Sequence, residues 1–207
     1  MKASRKEKID RIKTALINVG CRKELSEISM YDVAHEAGMS PSTVYHYFSN
    51  MNELILDYLV DIFSSFEEIV KTCTDNQPIT HWKQINKLIQ TSLSDYCDEN
   101  AIVKNILYTH HQYHDVKSAI VEKDNELGNE IEAIYRRYFV LPQLPTTHNI
   151  FVIALEASDS VYFSRNVGLK DKAVNEEAII VAESYLSHYL PDYLPKVEPK
   201  ASPAIGW

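Results

Sequence analysis

The sequence predicts an all-α chain of about nine helices, with a small helix-turn-helix head joined to a larger helical body. Three observations carry this. Apolar residues recur at spacings of three and four along most of the 207 residues, and the β-branched alternation of strands is nearly missing. Glycine is scarce, at five residues, so few places favour tight hairpin turns. The breaks between apolar stripes carry Ser, Thr, Asn, Gly or Pro, the residues that start and stop helices.

The first helix is predicted over residues 5–19, with Ile9, Ile12, Leu16 and Val19 on one stripe and Gly20 as its stop. A connection follows, with Leu25 and Ile28 turned to the core. Ser29 reads as the N-cap of a second helix over 30–37, whose inner face holds Val33, Ala34 and Ala37. Gly38 supplies the left-handed backbone of a tight turn. Ser40 caps a third helix, and Pro41 takes its first position, where a missing N–H costs nothing. Val44 and Phe48 stand four apart and anchor this helix inward. Ser42, Thr43, Tyr45, His46 and Tyr47 are left on the outer faces. A fourth, longer helix spans 51–72. After "TDNQP", Thr80 reads as the cap of a helix to residue 97. Helices over 101–111, 116–139, 148–165 (capped by Thr147) and 172–190 follow. Pro191, Pro195, Pro199 and Pro203 make residues 191–207 an extended or disordered tail. The domain boundaries expected are 1–50 for the head, 51–190 for the body and 191–207 for the tail.

Composition and charge narrow the function. No stretch approaches the roughly 20 apolar residues of a membrane span. The charged start "MKASRKEKIDRIK" has no apolar signal core, so a cytoplasmic protein is expected. Cys21, Cys73 and Cys97 form no CxxC spacing and read as reduced packing residues. The net charge is −8, unpromising for a partner of nucleic acid. Its distribution says otherwise. Residues 1–23 carry eight Lys and Arg against only Glu7 and Asp10, and the surplus of acid lies beyond residue 60. A basic end on an acidic body suits an end that approaches phosphates; a solvated face is the plainer alternative.

A short helix that is unstable alone and held by its neighbours can serve as a reading head in the major groove. Small residues at its start let the backbone approach base edges, and hydroxyls reach phosphate oxygens. A packed aromatic cluster is the other reading of "VYHYF". The stretch "YDVAHEAGMSPSTVYHYFSNMNELI" decides between them, because it resembles the DNA-binding domain of the TetR family of bacterial repressors. The likeness covers about residues 5–57. Its marks are A-x-E-A-G-x-S, T-V-Y-x-Y-F and the E-L-I that opens the fourth helix. The resemblance implies base reading by Ser42 and His46, with Pro41 and Tyr45. It implies phosphate contacts from Thr43, Tyr45 and Tyr47, helped by Ser29 and Tyr31, with Lys2, Arg5 and Lys6 reaching flanking phosphates or a minor groove. One departure stands out: Met51 occupies a position where many members carry a phosphate-contacting Lys.

The resemblance further implies a homodimer that binds operator DNA and a small-molecule effector in its body, and that acts as a repressor. Two stripes with small residues support the dimer independently. They are Ile153, Ala157 and Val161 on the eighth helix, and Val174, Ala178, Val181, Ala182, Tyr185 and Tyr189 on the ninth. Both can instead face their own core. The expected effector-binding residues are Trp82, Tyr108, His110, His111, Tyr113, His114, Phe151, Tyr162 and Phe163. His110 and His114 have a spacing that can hold a metal, but H-E-x-x-H is missing, and neither metal nor cofactor is expected. Glu156 and Asp159 interrupt an apolar helix; they read as solvated positions or as partners of a cationic ligand. Two other functions compete. One is a similar fold working only through protein partners. The other is a small metal- or His-dependent enzyme, for which no nucleophile elbow or phosphate loop exists in the sequence.

Overall fold

Four helices start alike. Ser4, Ser29, Ser40 and Asn50 each accept a hydrogen bond from the backbone N–H three residues on, satisfying a donor that the first turn leaves open. Glu7 and Asp32 complete the boxes at two of these starts, accepting from the cap N–H of Ser4 at 2.7 Å and of Ser29 at 2.9 Å. The computed structural model describes residues 4–109, 114–165 and 172–198. In it the caps open α1 (Arg5–Gly20), α2 (Met30–Glu36), α3 (Pro41–Tyr47) and α4 (Met51–Thr72), with a short 3₁₀ turn at Leu25–Glu27 before α2. The body follows as α5 (Trp82–Glu99), α6 (Ala101–Thr109), α7 (His114–Tyr138), α8 (Ile150–Arg165) and α9 (Lys172–Leu186). Among the described residues the regular elements are helical, apart from one antiparallel bridge between Phe139 and Lys196.

Several local expectations are corrected. Gly20 does not stop α1 by a left-handed turn; it lies inside the helix, buried, and Cys21 closes it in right-handed geometry. Its role is steric, since a Cβ there would stand 2.5 Å from Ile102 Cδ1 of α6. Gly38 does adopt φ +59°, as the turn between α2 and α3 requires. The cap of α5 is His81 rather than Thr80. Gln84 reaches back to accept from the His81 N–H at 2.9 Å, and the Thr80 hydroxyl donates to the same Gln84 oxygen at 3.1 Å. At α8, Asn149 takes the role expected of Thr147 and accepts from the Phe151 N–H at 2.8 Å, whereas the Thr147 hydroxyl meets His148. α9 ends at Leu186, and residues 187–190 close as turns before Pro191, the residue type that disfavours helix just ahead of it.

The body packs α8 on α9, α7 on α4 and α8, and α5 on α9. Its aromatic centre holds Tyr135 4.7 Å from the Phe151 ring and 6.5 Å from Trp82. The described part of the tail is extended and tied down. The Trp82 indole N–H donates to the Pro191 carbonyl at 3.0 Å, and Val140 N–H donates to Pro195 at 2.8 Å. Residues 199–207 of the expected tail lie outside the described residues. Cys97 is buried and Cys73 half-buried, but Cys21 is exposed and does not pack.

Two elements join head to body. α4 carries Asp57 and Asp61, which pair with Lys13 of α1 at 2.6 and 2.8 Å. Burial pushes the Lys13 amine down, but the bonds from Asp57 and Asp61 outweigh it and hold the pKa above its ordinary value. α6 is the second connection, packing on α1, on the 3₁₀ turn and on α5 and α8. No described helix is long and apolar enough to cross a membrane.

Candidate functional site

α3 has only two turns, so its neighbours must hold it. Val44 is fully buried and Phe48 nearly so, in the same core cluster as Leu16, Val33 and Ala34. Pinning that edge leaves the opposite faces outward. Ser42, Tyr45 and His46 are exposed, and Pro41, Thr43 and Tyr47 are half-buried. The Ser40 hydroxyl lies 2.9 Å from that of Ser42 and 2.8 Å from that of Thr43, so the start of α3 is a patch of hydroxyls at the positive end of the helix. Tyr31 of α2 is 64 % exposed and meets the Tyr45 ring edge-on at 6.2 Å, which links the two helices in one polar aromatic surface. Tyr47 is held between His46 at 5.3 Å and the Lys8 amine at 5.9 Å from its ring. Ser29 is exposed at the start of α2, and Arg5 and Lys6 are exposed at the start of α1. Lys2 lies outside the described residues. Met51 is half-buried against the core, where an apolar side chain packs well.

A second site lies in the body. Phe66 of α4, Leu93 of α5, Leu107 of α6, Leu127 of α7, and Leu155, Tyr162 and Phe163 of α8 wall a small, partly open cavity of about 30 Å³. Of the expected effector-binding residues, Tyr162 and Phe163 line it. Trp82 and Phe151 are buried in the aromatic centre instead, and Tyr108 is 44 % exposed. His110, His111 and Tyr113 lie outside the described residues, and His114 opens α7. Among the described residues no group of His, Cys, Asp or Glu could hold a metal.

The cavity's charged side chains are acidic, beside the neutral polar Gln90, Ser94, Ser158 and Asn175. Asp124 of α7 and Asp159 of α8 both line it, each half-buried. Burial pushes the Asp124 carboxyl up to about 7, and the charge of Glu156 adds to that. Burial also raises Asp159 well above the usual carboxylate range, with Asp124 and then Glu156 reinforcing the shift. The sequence reading placed Asp159 among solvated or ligand-facing positions and overlooked Asp124. The signal was present, because Asp124 occupies the apolar stripe Ile120, Leu127, Ile131 and Ile134 that α7 turns inward. Glu156 is exposed.

The expected dimer stripes divide. Ile153, Ala157, Val161, Val174, Val181, Tyr185 and Tyr189 are half-buried within one chain, and Ala178 and Ala182 are fully covered by it, Ala178 against the cavity.

The geometry of α2 and α3 coincides with a family match. The profile of bacterial regulatory proteins of the tetR family matches residues 22–58. The chain carries a TetR-family DNA-binding domain. Solved TetR structures extend the fold to the body. The chain superposes on Thermus thermophilus FadR, a TetR-family transcriptional repressor in complex with lauroyl-CoA, with a TM-score of 0.67 at 14% identity, covering 94% of this chain and 98% of that one. A TetR regulator from Haloarcula marismortui gives 0.66 at 16% identity, covering 89% and 99%. One from Rhodococcus sp. RHA1 gives 0.65 at 14%, covering 86% and 95%. No curated protein matches the chain in sequence.

Proposed function

We propose that this chain is a cytoplasmic transcriptional repressor that binds a palindromic operator as a homodimer and leaves it when a small molecule fills the body cavity. The observation that carries the reading is α3. It is pinned at Val44 and Phe48, turned outward with Ser42, Tyr45 and His46, and lies inside the TetR-matching segment. Residues 1–50 are then the reading head, 51–190 the sensing and dimerising body, and 191–207 a tail. Ser42, His46, Pro41 and Tyr45 face base edges. Thr43, Tyr45, Tyr47, Ser29 and Tyr31 meet phosphates, and Lys2, Arg5 and Lys6 extend the footprint. Two-fold symmetry through α8 and α9 sets two copies of α3 about 34–36 Å apart, or a multiple, to match successive major grooves. Catalysis and cofactors play no part in this reading.

Coupling has a physical route. Phe66 at the cavity and Asp57 at the head are nine residues apart on α4, about 14 Å along one helix. α6 brings Leu107 to the cavity and Ile102 to Gly20 of α1. A ligand that moves either helix moves the head, and it releases DNA only if it favours the displaced arrangement. Retention on genomic DNA fragments at low salt, with selection and sequencing of the bound fragments, tests the reading. A shared inverted repeat is expected; retention with no shared sequence would overturn operator recognition.

A further inference from the structure

We infer that Lys8 of α1, held on the ring of Tyr47, contacts a DNA backbone phosphate beside α3 and supplies the positive charge that this helix itself lacks. This deepens the proposed function and rests on it. Residues 24–60 contain no Lys or Arg, so α2, α3 and the start of α4 bring no fixed positive charge to a polyanion. A cation beside α3 must come from another element. In the described part of the head the cations are Arg5, Lys6, Lys8, Arg11, Lys13, Arg22 and Lys23, on α1 or just after it.

Ion pairing divides them. Lys13 is taken by Asp57 and Asp61, Arg22 by Glu36 and Lys23 by Asp32. Arg11 donates to the Gly38 carbonyl at 3.4 Å, at the turn before α3. Arg5 and Lys6 are exposed at the start of α1. Among the described residues no carboxylate pairs with Lys8; its amine lies 5.9 Å from the centre of the Tyr47 ring instead. The acids next to it in sequence are placed otherwise. Glu7 accepts from the Ser4 N–H at 2.7 Å, and Asp10, two positions on, is exposed on another side of the helix.

The register of α1 explains the contact. Its buried stripe is Ile12, Ala15, Leu16 and Val19, and Lys8 stands one turn ahead of Ile12 on the same face. At that turn the stripe meets Tyr47, the last residue of α3. Lys8 is half-buried, as a long stem laid against its neighbours with the amine at the rim would be. A ring face attracts the amine without neutralising its charge, so the charge stays available to an anion. The Tyr47 O–H then donates to a phosphate oxygen while Lys8 gives the same phosphate a counter-charge. Such a contact is blind to base identity and helps fix how α3 sits in the groove.

The test uses the full chain and two DNA duplexes, one of random sequence and one taken from the genomic fragments that the chain retains. Fluorescence anisotropy follows binding between about 50 and 200 mM salt. Lys8→Gln should weaken binding to both duplexes about tenfold and make the fall of log affinity with log salt shallower by about 1 for each protomer bound. Lys8→Arg should restore both quantities toward the parent. A merely structural role for Lys8 would lower thermal stability and leave the salt dependence as it was. In a Tyr47→Leu background, Lys8→Gln should cost less than in the parent, because no ring holds the amine. An unchanged salt dependence in folded Lys8→Gln, or a loss confined to the genomic duplex, would overturn the phosphate contact. An equal loss in both backgrounds would overturn the part played by the ring. The parent separates the two layers. If it shows no salt-sensitive binding to either duplex, the proposed function falls and takes this inference with it. If it binds both and Lys8→Gln binds as tightly, the role of Lys8 alone falls.

Discussion

The outer face of α3 and the cavity of the body both gather polar side chains, but they stand in opposite relations to their surroundings. On α3 the hydroxyls of Ser40, Ser42 and Thr43 bond to one another and the rings of Tyr31, Tyr45, His46 and Tyr47 meet edge to edge, with water available to the rest. In the cavity, Asp124 and Asp159 are half-buried in a largely apolar wall, and burial raises both carboxyls. An exposed polar surface is complete before it binds anything. Carboxyls partly withdrawn from water in an apolar wall make their charged forms costly. The head is thus built to be stable and ready, and the body to be changed by what enters it.

The largest expected effect lies on the head. Tyr45→Ala combined with Tyr47→Ala should reduce DNA affinity about 100-fold or more, through lost phosphate contacts, with little change in thermal stability because Tyr45 is exposed and Tyr47 half-buried. Fluorescence-anisotropy titration reads this directly. Unchanged affinity in the folded double variant would remove the outer face of α3 from the binding surface.

Next is the contact between the regions. Gly20→Val should destabilise the fold by about 1–3 kcal/mol in urea denaturation, since Ile102 already occupies the space a side chain needs. A stability change below that range would show that α6 can withdraw from α1, and so that this second link is loose.

The cavity predicts a pH signature of similar or smaller size. Asp124 holds its proton more tightly folded than unfolded, so stability should fall as pH rises from the ordinary carboxylate value of about 4 through about 7, then level off. Asp159→Asn should raise stability at pH 8 by about 1–2 kcal/mol and have little effect near pH 4. Urea titrations across pH check both. A variant less stable than the parent at pH 8 would mean that Asp159 is partnered and the contrast between head and body fails. The smallest effect is local: Ser29→Ala should cost about 1 kcal/mol by removing the cap of α2.

The head was far more legible in the sequence than the cavity. Caps, the Gly38 turn and the anchors Val44 and Phe48 are local signals, and α2, α3 and α4 begin where those signals put them. The choice of Asn149 over Thr147 and of His81 over Thr80 turned on which neighbouring donors were free, a competition that spacing alone does not rank.

By itself the amino-acid sequence determined that the chain is helical, where most helices start, and which outward face of α3 carries rings and hydroxyls, because those properties depend on residues within a turn or two of each other. Only the tertiary structure decided that Gly20 makes room for Ile102, and that carboxylates 35 positions apart, Asp124 and Asp159, line one apolar cavity. Burial and pairing between distant segments have no local signature, since the same Asp on a helix is solvated or desolvated according to what packs over it.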